Sequence, residues 1–535
     1  MSQSITQQPE FPDTVEAAGF PPGRGVGKRE YAERLTNEDL APLKEQKWSW
    51  YNIFAFWMSD VHSVGGYATA GALFALGMNS IEVFISLMVG IFIVRLFVNL
   101  VAKPSQQAAV PYPVTSRASF GVLGANIAAI IRGVIAIAWF GVQTFLAAES
   151  LNIVFLKLFP GMASWQEHSF LGLSALGYLS YAILWVVQAL IFWRGMETIR
   201  RFIDYAGPAV YVVMVVLCLY LLGKAHWHIS LSDVSSGATP LHGWPLVWAL
   251  LAGIATTVSY FSGPMLNFGD FSRYTKNFKQ VKIGNLVGLP LNFFFFSLLS
   301  VVTTAATVPV FHKLITDPIE TVNQIDSTFA ILLGGLTFVI ATVGINIVAN
   351  FISPAFDFSN VNPKKISWRA GGMIAAIGSV ILTPWNWYNN NTAIFWTLGL
   401  LGALIGPLFG ILIADFYLVR QQKIVVDDLF TLDENGRYFY RKGYNPAAVR
   451  AVITAGVFSL ASVIVPKLAG HVGWISTYSW FIGVGVGFVV YFVLAVRYNV
   501  AGVADRRRGA AAAADPEIAG GGLPALADAE IEAEA

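Results

Sequence analysis

The chain is poor in charged residues and in cysteine. Asp, Glu, Lys and Arg make up only 12% of its 535 residues, about half of the roughly 25% that is usual in a soluble domain. Its single cysteine, Cys218, excludes an intrachain disulfide and a thiolate metal centre. The net charge is +2, and basic patches interleaved with aromatic residues are missing. We therefore expect no nucleic-acid partner.

Sequence motifs of enzymes are also missing. The chain has no H-E-x-x-H, no G-x-S-x-G, no phosphate-binding loop and no cluster of His and Cys. These motifs carry metal-dependent, serine-nucleophile and nucleotide-hydrolysing chemistry. We expect neither an enzymatic activity nor a cofactor, and the sequence indicates no protein partner.

Long hydrophobic runs dominate the chain, of which 55% is hydrophobic. Many runs approach the ~20 residues that a helix needs to cross the hydrocarbon core of a bilayer. They predict an all-α polytopic membrane protein embedded in the lipid bilayer. The predicted spans are 51–77, 80–102, 122–150, 171–193, 202–223, 245–269, 283–309, 328–356, 369–386, 393–418, 449–468 and 474–496.

Lys and Arg concentrate before the first span and in the loops after even-numbered spans, whereas the alternate loops hold almost only Lys157, Lys224, Lys313 and Lys467. Cytoplasmic loops of membrane proteins carry such an excess. The pattern predicts a protein of the cell (inner) membrane with both termini in the cytoplasm.

The spans predict five segments along the chain. They are a cytoplasmic tail (1–47), two groups of five spans (48–223 and 244–418), two further spans (449–497) and a C-terminal tail (498–535). The C-terminal tail is rich in small and acidic residues. Such a composition buries too little apolar surface to fold alone, so we expect this tail to be disordered.

Two spans are expected to unwind. Span one contains Ser59 to Ser63 followed by a Gly-Gly pair. Span six contains the segment 259–271, with Gly263-Pro264 in its middle and Asn267, Gly269 and Asp270 beyond. Backbone unwinds inside a bilayer only where protein or a water-filled cavity receives its polar groups. Interrupted spans at matching places in two halves mark the central site of a transporter. The alternative is a proline kink that serves packing. The two interrupted spans lie five spans apart. Because five is an odd number, the second half would be a copy of the first with inverted topology.

Polar residues four apart share one helical face in two other spans. Trp139 and Gln143 form such a pair in span three, and Asn346 and Asn350 form one in span eight. An indole beside an amide suits a flat ligand, because the ring stacks while the amide both donates and accepts hydrogen bonds. The alternative is ordinary packing and bonding between helices.

Asp60 is the most unusual charge in the spans. Inserting a carboxylate at the bilayer centre costs ~2.5–3.5 kcal/mol on insertion scales. Because of this cost, an aspartate within a membrane span is first interpreted as functional. The alternative is a permanent salt bridge, for example to Arg132 or Arg95. His62 lies two residues further on, and an unwound segment would bring both side chains to one cavity.

Together these segments resemble the nucleobase:cation symporter-1 family over nearly the whole chain, most closely its branch of allantoin and uracil permeases, with the hydantoin transporter a more distant relative. The motifs are NEDLAP (37–42), the WM and VH of span one, AIAWFGVQTF in span three, GMETIRRF (195–202), NFGDFSRY (267–274), ANFISPAFD in span eight, LTPWNW, and GPLFGILIADFYLVR (406–420).

The resemblance implies a LeuT-like fold of about twelve transmembrane helices, with a five-plus-five inverted repeat and two C-terminal helices. A bundle of helices 1, 2, 6 and 7 would move against a scaffold around a site at the midplane. The resemblance also implies substrate-binding residues at matching positions of this chain. They are a stacking indole at Trp139, amides at Gln143 and Asn350, a second aromatic at Phe261 preceded by Tyr260, and a polar position at Ser63, where relatives carry Gln or Asn.

The resemblance further implies a coupling-ion site between helices 1 and 8. Relatives that use sodium bind it with carbonyls that match Ser59, His62 and Ala341 and with two hydroxyls that match Gly344 and Ile345. Sodium requires several oxygen ligands, and two are lost here. We expect this sodium site to be weak or unused, with Asp60 as the first candidate for a proton carrier and His62 as the second.

The sequence thus predicts a symporter that imports a small planar nucleobase or ureide by alternating access. Uracil is favoured, followed by allantoin, cytosine and hydantoin, with H⁺ as the coupling ion. One alternative is a sodium-coupled allantoin or hydantoin symporter. Others are an uncoupled facilitator or channel and a membrane receptor that does not transport.

Overall fold

The computed structural model describes residues 31–62, 64–232, 240–325, 327–469 and 474–500. In this part of the chain, ten helices are long and apolar enough to cross a membrane, and the shorter apolar helices Gly65–Leu76 and Trp368–Ile381 bring the number to twelve. A two-stranded hairpin pairs β1 (Ser169–Phe170) with β2 (Leu173–Ser174) in the loop before the fourth membrane helix.

We number the membrane helices 1 to 12, and each overlaps one predicted span. Helix 1 consists of Trp50–Val61 and Val64–Ala72. The others are Ser80–Ala108, Ala125–Leu158, Ala175–Trp193, Met196–Lys224, Trp244–Leu266, Phe278–Phe311, Thr328–Val361, Trp368–Ile381, Asn391–Val419, Pro446–Leu468 and Ser479–Arg497.

The helices pack in three groups. Helix 2 packs against helices 6 and 7, and helix 1 packs against helix 7. Helix 3 packs against helices 4, 8 and 9, while helices 10, 11 and 12 pack against one another. The first two groups meet around helices 1, 3, 6 and 8, where the candidate site lies.

Helix 1 is interrupted where the sequence predicts it. Its first half ends at Val61, and His62 leaves helical geometry with φ −91° and ψ 83°. Ser63 lies outside the described residues, and the second half begins at Val64. Gly65 lets this half approach helix 3, because a Cβ on it would lie 3.1 Å from Gln143 Nε2.

Helix 6 is interrupted within the predicted segment 259–271, but at Asn267 and not at the Gly263-Pro264 pair. The helix continues to Leu266, and the chain leaves it at Asn267 before a short helix, Gly269–Ser272. A proline inside a helix removes one backbone hydrogen bond and frees the carbonyl four residues earlier. Here that carbonyl belongs to Tyr260, and the buried helix tolerates the loss.

Helix 8 contains a wide π-helical turn at Val348–Ile352. Such turns leave the regular i to i+4 bonding pattern and occur often at functional sites. Asn350 lies in this turn, one helical turn beyond Asn346. The local widening therefore falls on a residue that the sequence assigns to substrate binding.

Candidate functional site

A small cavity with a volume of about 20 Å³ lies between helices 1, 3, 6 and 8. This space holds about one water molecule and is far below the ~300–1,000 Å³ that is typical of small-molecule sites, so a bound substrate requires the cavity to widen. Most of the residues that the sequence assigns to substrate binding meet here. The lining consists of Asp60, Trp139, Gln143, Tyr260, Phe261, Pro264, Ile345, Ala349 and Asn350.

Aromatic rings form one part of the cavity wall. The Trp139 and Tyr260 rings meet edge to face, with centroids 5.4 Å apart and planes at 83°. Tyr260 and Phe261 meet similarly at 5.2 Å, and Phe261 is anchored from behind by Phe293 at 5.6 Å. Tyr260 thus lies between the two aromatic groups that the sequence predicts to hold a flat ligand.

Two carboxamides provide polar groups. Gln143 Nε2 donates to the Tyr260 hydroxyl at 3.5 Å, while Gln143 Oε1 is buried and has no hydrogen-bond partner among the described residues. Asn350 Nδ2 donates to Asn346 Oδ1 at 3.0 Å. Asn346 in turn donates to Gln188 Oε1 at 2.7 Å. Asn346 therefore orients Asn350 and does not line the cavity itself.

Asp60 reaches the cavity from the first half of helix 1. It is only 1% exposed, and its Oδ1 lacks a hydrogen-bond partner within the described ranges. Arg132 does not form the permanent salt bridge that was the alternative. Its guanidinium donates to Asn267 Oδ1 at 3.0 and 3.2 Å and to the Ala349 carbonyl at 3.4 Å. The Asp60 carboxyl remains available to a ligand or a proton.

His62 does not share this cavity, so that expectation is wrong. Its Nδ1 lies 3.4 Å from the Tyr67 hydroxyl and its Nε2 lies 3.4 Å from Asn292 Oδ1. Its ring packs against Tyr211, with centroids 3.7 Å apart. The break in helix 1 turns the chain after Val61, so the imidazole packs between helices 5 and 7.

The positions that match the sodium ligands of the family lie where helix 1 meets helix 8. A Cβ on Gly344 would be 3.7 Å from Ser59 Oγ, and Ala341 is buried on the same helix. Position 344 therefore contributes no hydroxyl at this junction. Ile345 places an aliphatic side chain on the substrate cavity.

A buried charged cluster, which the sequence analysis did not predict, lies beside the cavity. It joins Arg132 to Asn267, Asp270 and Asp357. Asn267 Nδ2 donates to Asp270 Oδ2 at 3.4 Å, and the Tyr112 backbone N–H donates to Asp270 Oδ1 at 2.8 Å. Neither oxygen of Asp357 has a hydrogen-bond partner in the described part of the chain. One sequence signal could have revealed Asp357. It lies seven residues after Asn350, which is about two helical turns, so the two residues are expected on the same face of helix 8.

Tyr388, in the segment before helix 10, lies next to the cavity residue Trp139, and the sequence analysis did not predict this. Its hydroxyl lies 2.6 Å from Thr69 Oγ1 on the second half of helix 1. Its ring centroid is 6.0 Å from that of Trp139. These contacts connect the second half of helix 1 to the segment before helix 10, beside the Trp139 indole.

The sequence of this chain is similar to those of known permeases. A family model described as permease for cytosine/purines, uracil, thiamine, allantoin matches residues 41–483. The allantoin permease of Bacillus subtilis (strain 168) is 33% identical over 477 residues, which cover 87% of this chain and 94% of that protein. The purine-uracil permease NCS1 of Arabidopsis thaliana is 31% identical over 472 residues, covering 88% and 76%.

Solved structures share the fold. Mhp1, a nucleobase-cation-symport-1 family transporter in a closed conformation with bromovinylhydantoin bound, gives a TM-score of 0.69 at 22% identity, covering 88% of this chain and 99% of that chain. MhsT in complex with L-phenylalanine gives 0.50 at 13% identity, covering 84% and 99%. These likenesses confirm the predicted LeuT-like fold with its inverted repeat.

Proposed function

The chain belongs to the family of permeases for cytosine/purines, uracil, thiamine and allantoin, and on that premise we propose that it imports uracil or allantoin together with a proton. It is a multi-pass membrane transporter and not an enzyme, as its permease relatives show. The proposal concerns the substrate and the coupling ion.

The observation that carries the proposal is the combination of groups around the cavity. An indole, two carboxamides and a carboxyl face one small space. Two acceptors, Gln143 Oε1 and Asp60 Oδ1, lack partners among the described residues. A buried acceptor without a partner costs ~1–3 kcal/mol. A cyclic amide supplies the missing N–H donors, and its flat face suits Trp139.

Two relatives support these substrates. One is named as an allantoin permease and the other as a purine-uracil permease. A site built on hydrogen bonds rejects analogues that lack the bonding groups much more strongly than it sorts ligands by size.

Inhibition of uptake by a panel of analogues tests the substrate. We expect uracil or allantoin to compete best, ahead of cytosine, hydantoin and xanthine. The matched control is uracil methylated at both ring nitrogens, which keeps the flat ring but removes both donors. Equal inhibition by uracil and its dimethyl analogue would show that N–H donation is not what the cavity recognises.

Proton coupling rests on the geometry of Asp60 and on the two lost hydroxyl ligands at Gly344 and Ile345. Uptake of labelled substrate should rise as the external pH falls, because a lower external pH favours protonation of the carrier before substrate is released inside. A protonophore should collapse accumulation, and sodium should have little effect. Asp60→Asn should retain substrate binding but lose concentrative uptake.

The alternatives give different results. Strong stimulation by sodium without pH dependence would establish the sodium-coupled symporter instead. Equilibration without accumulation against a gradient would establish a facilitator. In either case, the analogue panel still reports independently on the substrate.

A further inference from the structure

A second cavity lies far from the substrate site, between the start of helix 11 and the end of helix 12. It is open and has a volume of about 410 Å³. Its lining includes Arg441 from the preceding loop, Arg450 from helix 11 and Tyr498 after helix 12. The distribution of Lys and Arg assigns this end of the helices to the cytoplasmic side.

The two arginines leave positive charge uncompensated. Arg450 donates to the Tyr498 hydroxyl, and its guanidinium carbon lies 5.4 Å from the centroid of that ring. Within the residues that the structure describes, neither Arg441 nor Arg450 has a carboxylate partner. Nearby Arg437, in contrast, lies 3.7 Å from Asp428. The cavity therefore favours an anion, and the positive end of the helix 11 dipole adds to this preference.

An apolar surface begins beside the arginines. Ile453 and Val457 follow Arg450 at helical spacing and are 61% and 62% exposed. On helix 12, Val493 and Val496 are 56% and 63% exposed. In a chain that crosses a membrane, these side chains face acyl chains. A ligand with an anionic head and apolar tails matches both parts of this surface, whereas inorganic phosphate matches only the first.

We propose that Arg441 and Arg450 bind the headgroup of an anionic phospholipid from the cytoplasmic leaflet, with its acyl chains along the exposed face of helices 11 and 12. Basic pockets between membrane helices on the cytoplasmic side are suited to such headgroups. This site is independent of the proposed transport substrate.

Native mass spectrometry of the full chain in neutral detergent tests the proposal. Phosphatidylglycerol should bind more tightly than phosphatidylcholine with the same acyl chains. Replacing both residues, R441Q with R450Q, should weaken phosphatidylglycerol binding by about 30-fold, or about fivefold for each arginine near an anionic lipid surface. The control is Lys442→Gln, an exposed basic residue of the same loop outside the cavity lining.

Other results overturn the proposal. One is equal binding of both lipids by the unaltered chain, and another is full retention of the preference in the double variant. Displacement of phosphatidylglycerol by inorganic phosphate alone would identify a free-anion site. If the double variant fails to fold, a photoactivatable phosphatidylglycerol on the unaltered chain decides. Crosslinks should fall within 441–457, and crosslinks confined elsewhere contradict the assignment.

Discussion

Two buried polar clusters in this membrane domain hold a carboxylate in opposite ways. In the first, Asp415 on helix 10 accepts hydrogen bonds from Arg420 Nε at 2.7 Å, from Ser119 at 2.8 Å and from Tyr491 at 2.5 Å. Both carboxylate oxygens are used, and Arg420 also donates to the Ala118 carbonyl at 2.7 Å. We call these five residues the helix 10 cluster.

The second cluster is the substrate cavity. Asp60 and Asp415 are each only 1% exposed, but Asp60 Oδ1 and Gln143 Oε1 lack partners within the described residues. Buried polar groups in proteins are nearly always hydrogen-bonded. The two aspartates are therefore equally buried, but they differ in how many of their hydrogen-bonding positions are used. The saturated cluster holds elements together, whereas the unsaturated one has bonding capacity left for a ligand.

The largest expected effect is on the helix 10 cluster. Arg420→Gln leaves Asp415 buried without its cation, which costs ~3–5 kcal/mol of folding free energy. We expect a marked loss of thermal stability in detergent, with unchanged substrate preference in the protein that remains. Lys313→Gln is the control, because it breaks an exposed ion pair with Glu320 that is worth ~0–1 kcal/mol. Equal stability of the two variants would contradict the claim that the helix 10 cluster holds the helices together.

The next effect concerns the cavity. Trp139→Ala removes the stacking surface, and aromatic stacking on a base contributes ~1–3 kcal/mol. Substrate affinity should fall by roughly 10- to 100-fold, measured by uptake or by binding, while the folded protein is still recovered. Trp193→Ala serves as the control, since that indole is 55% exposed on helix 4. Normal transport by the Trp139 variant would place the site elsewhere.

The helices and most of the cavity residues were predictable because hydrophobic length and helical spacing are local properties. Trp139 with Gln143 came from such spacing, and Asp60 came from the cost of a charge in a membrane. The position of the helix 6 break was not predictable. Pro264 loses one bond that the buried helix tolerates, and Asn267 ends the helix through contacts with Arg132 on helix 3.

The direction of the side chains around the break in helix 1 was not predictable either. His62 and Asp60 are two residues apart, yet only the structure shows that one packs against Tyr211 while the other lines the cavity. Tyr388 could not be foreseen for a related reason. Its role depends on a contact with Thr69, which is 319 positions away in the chain.

A gain of sodium dependence should sharpen the comparison further. Gly344→Ser together with Ile345→Thr restores hydroxyls at the two positions that match the sodium ligands of relatives. A Cβ at 344 meets only ordinary contacts of 3.4 Å or more, with Ser59 Oγ at 3.7 Å. If these oxygens complete a site that is coupled to the substrate, saturating sodium should raise substrate affinity by about 5- to 150-fold, as for a coupling free energy of about 1–3 kcal/mol. Lithium and potassium are the matched controls. Unchanged sodium independence would mean that the lost hydroxyls do not explain the choice of coupling ion.

The smallest effect should come from Tyr260→Phe. This change keeps the aromatic wall and removes a hydroxyl that Gln143 Nε2 reaches only at 3.5 Å. A hydrogen bond of this length is weak, so we expect less than ~1 kcal/mol and at most a severalfold change in KM, because Gln143 can turn toward the substrate. Tyr181→Phe removes a similarly long contact, 3.4 Å to Ser379, away from the cavity and should leave KM unchanged. A loss as large as that of Trp139→Ala would instead identify the Tyr260 hydroxyl as a direct substrate contact. Recognition would then depend on a hydroxyl that already has a partner, and not on the unpaired acceptors that distinguish the cavity from the helix 10 cluster.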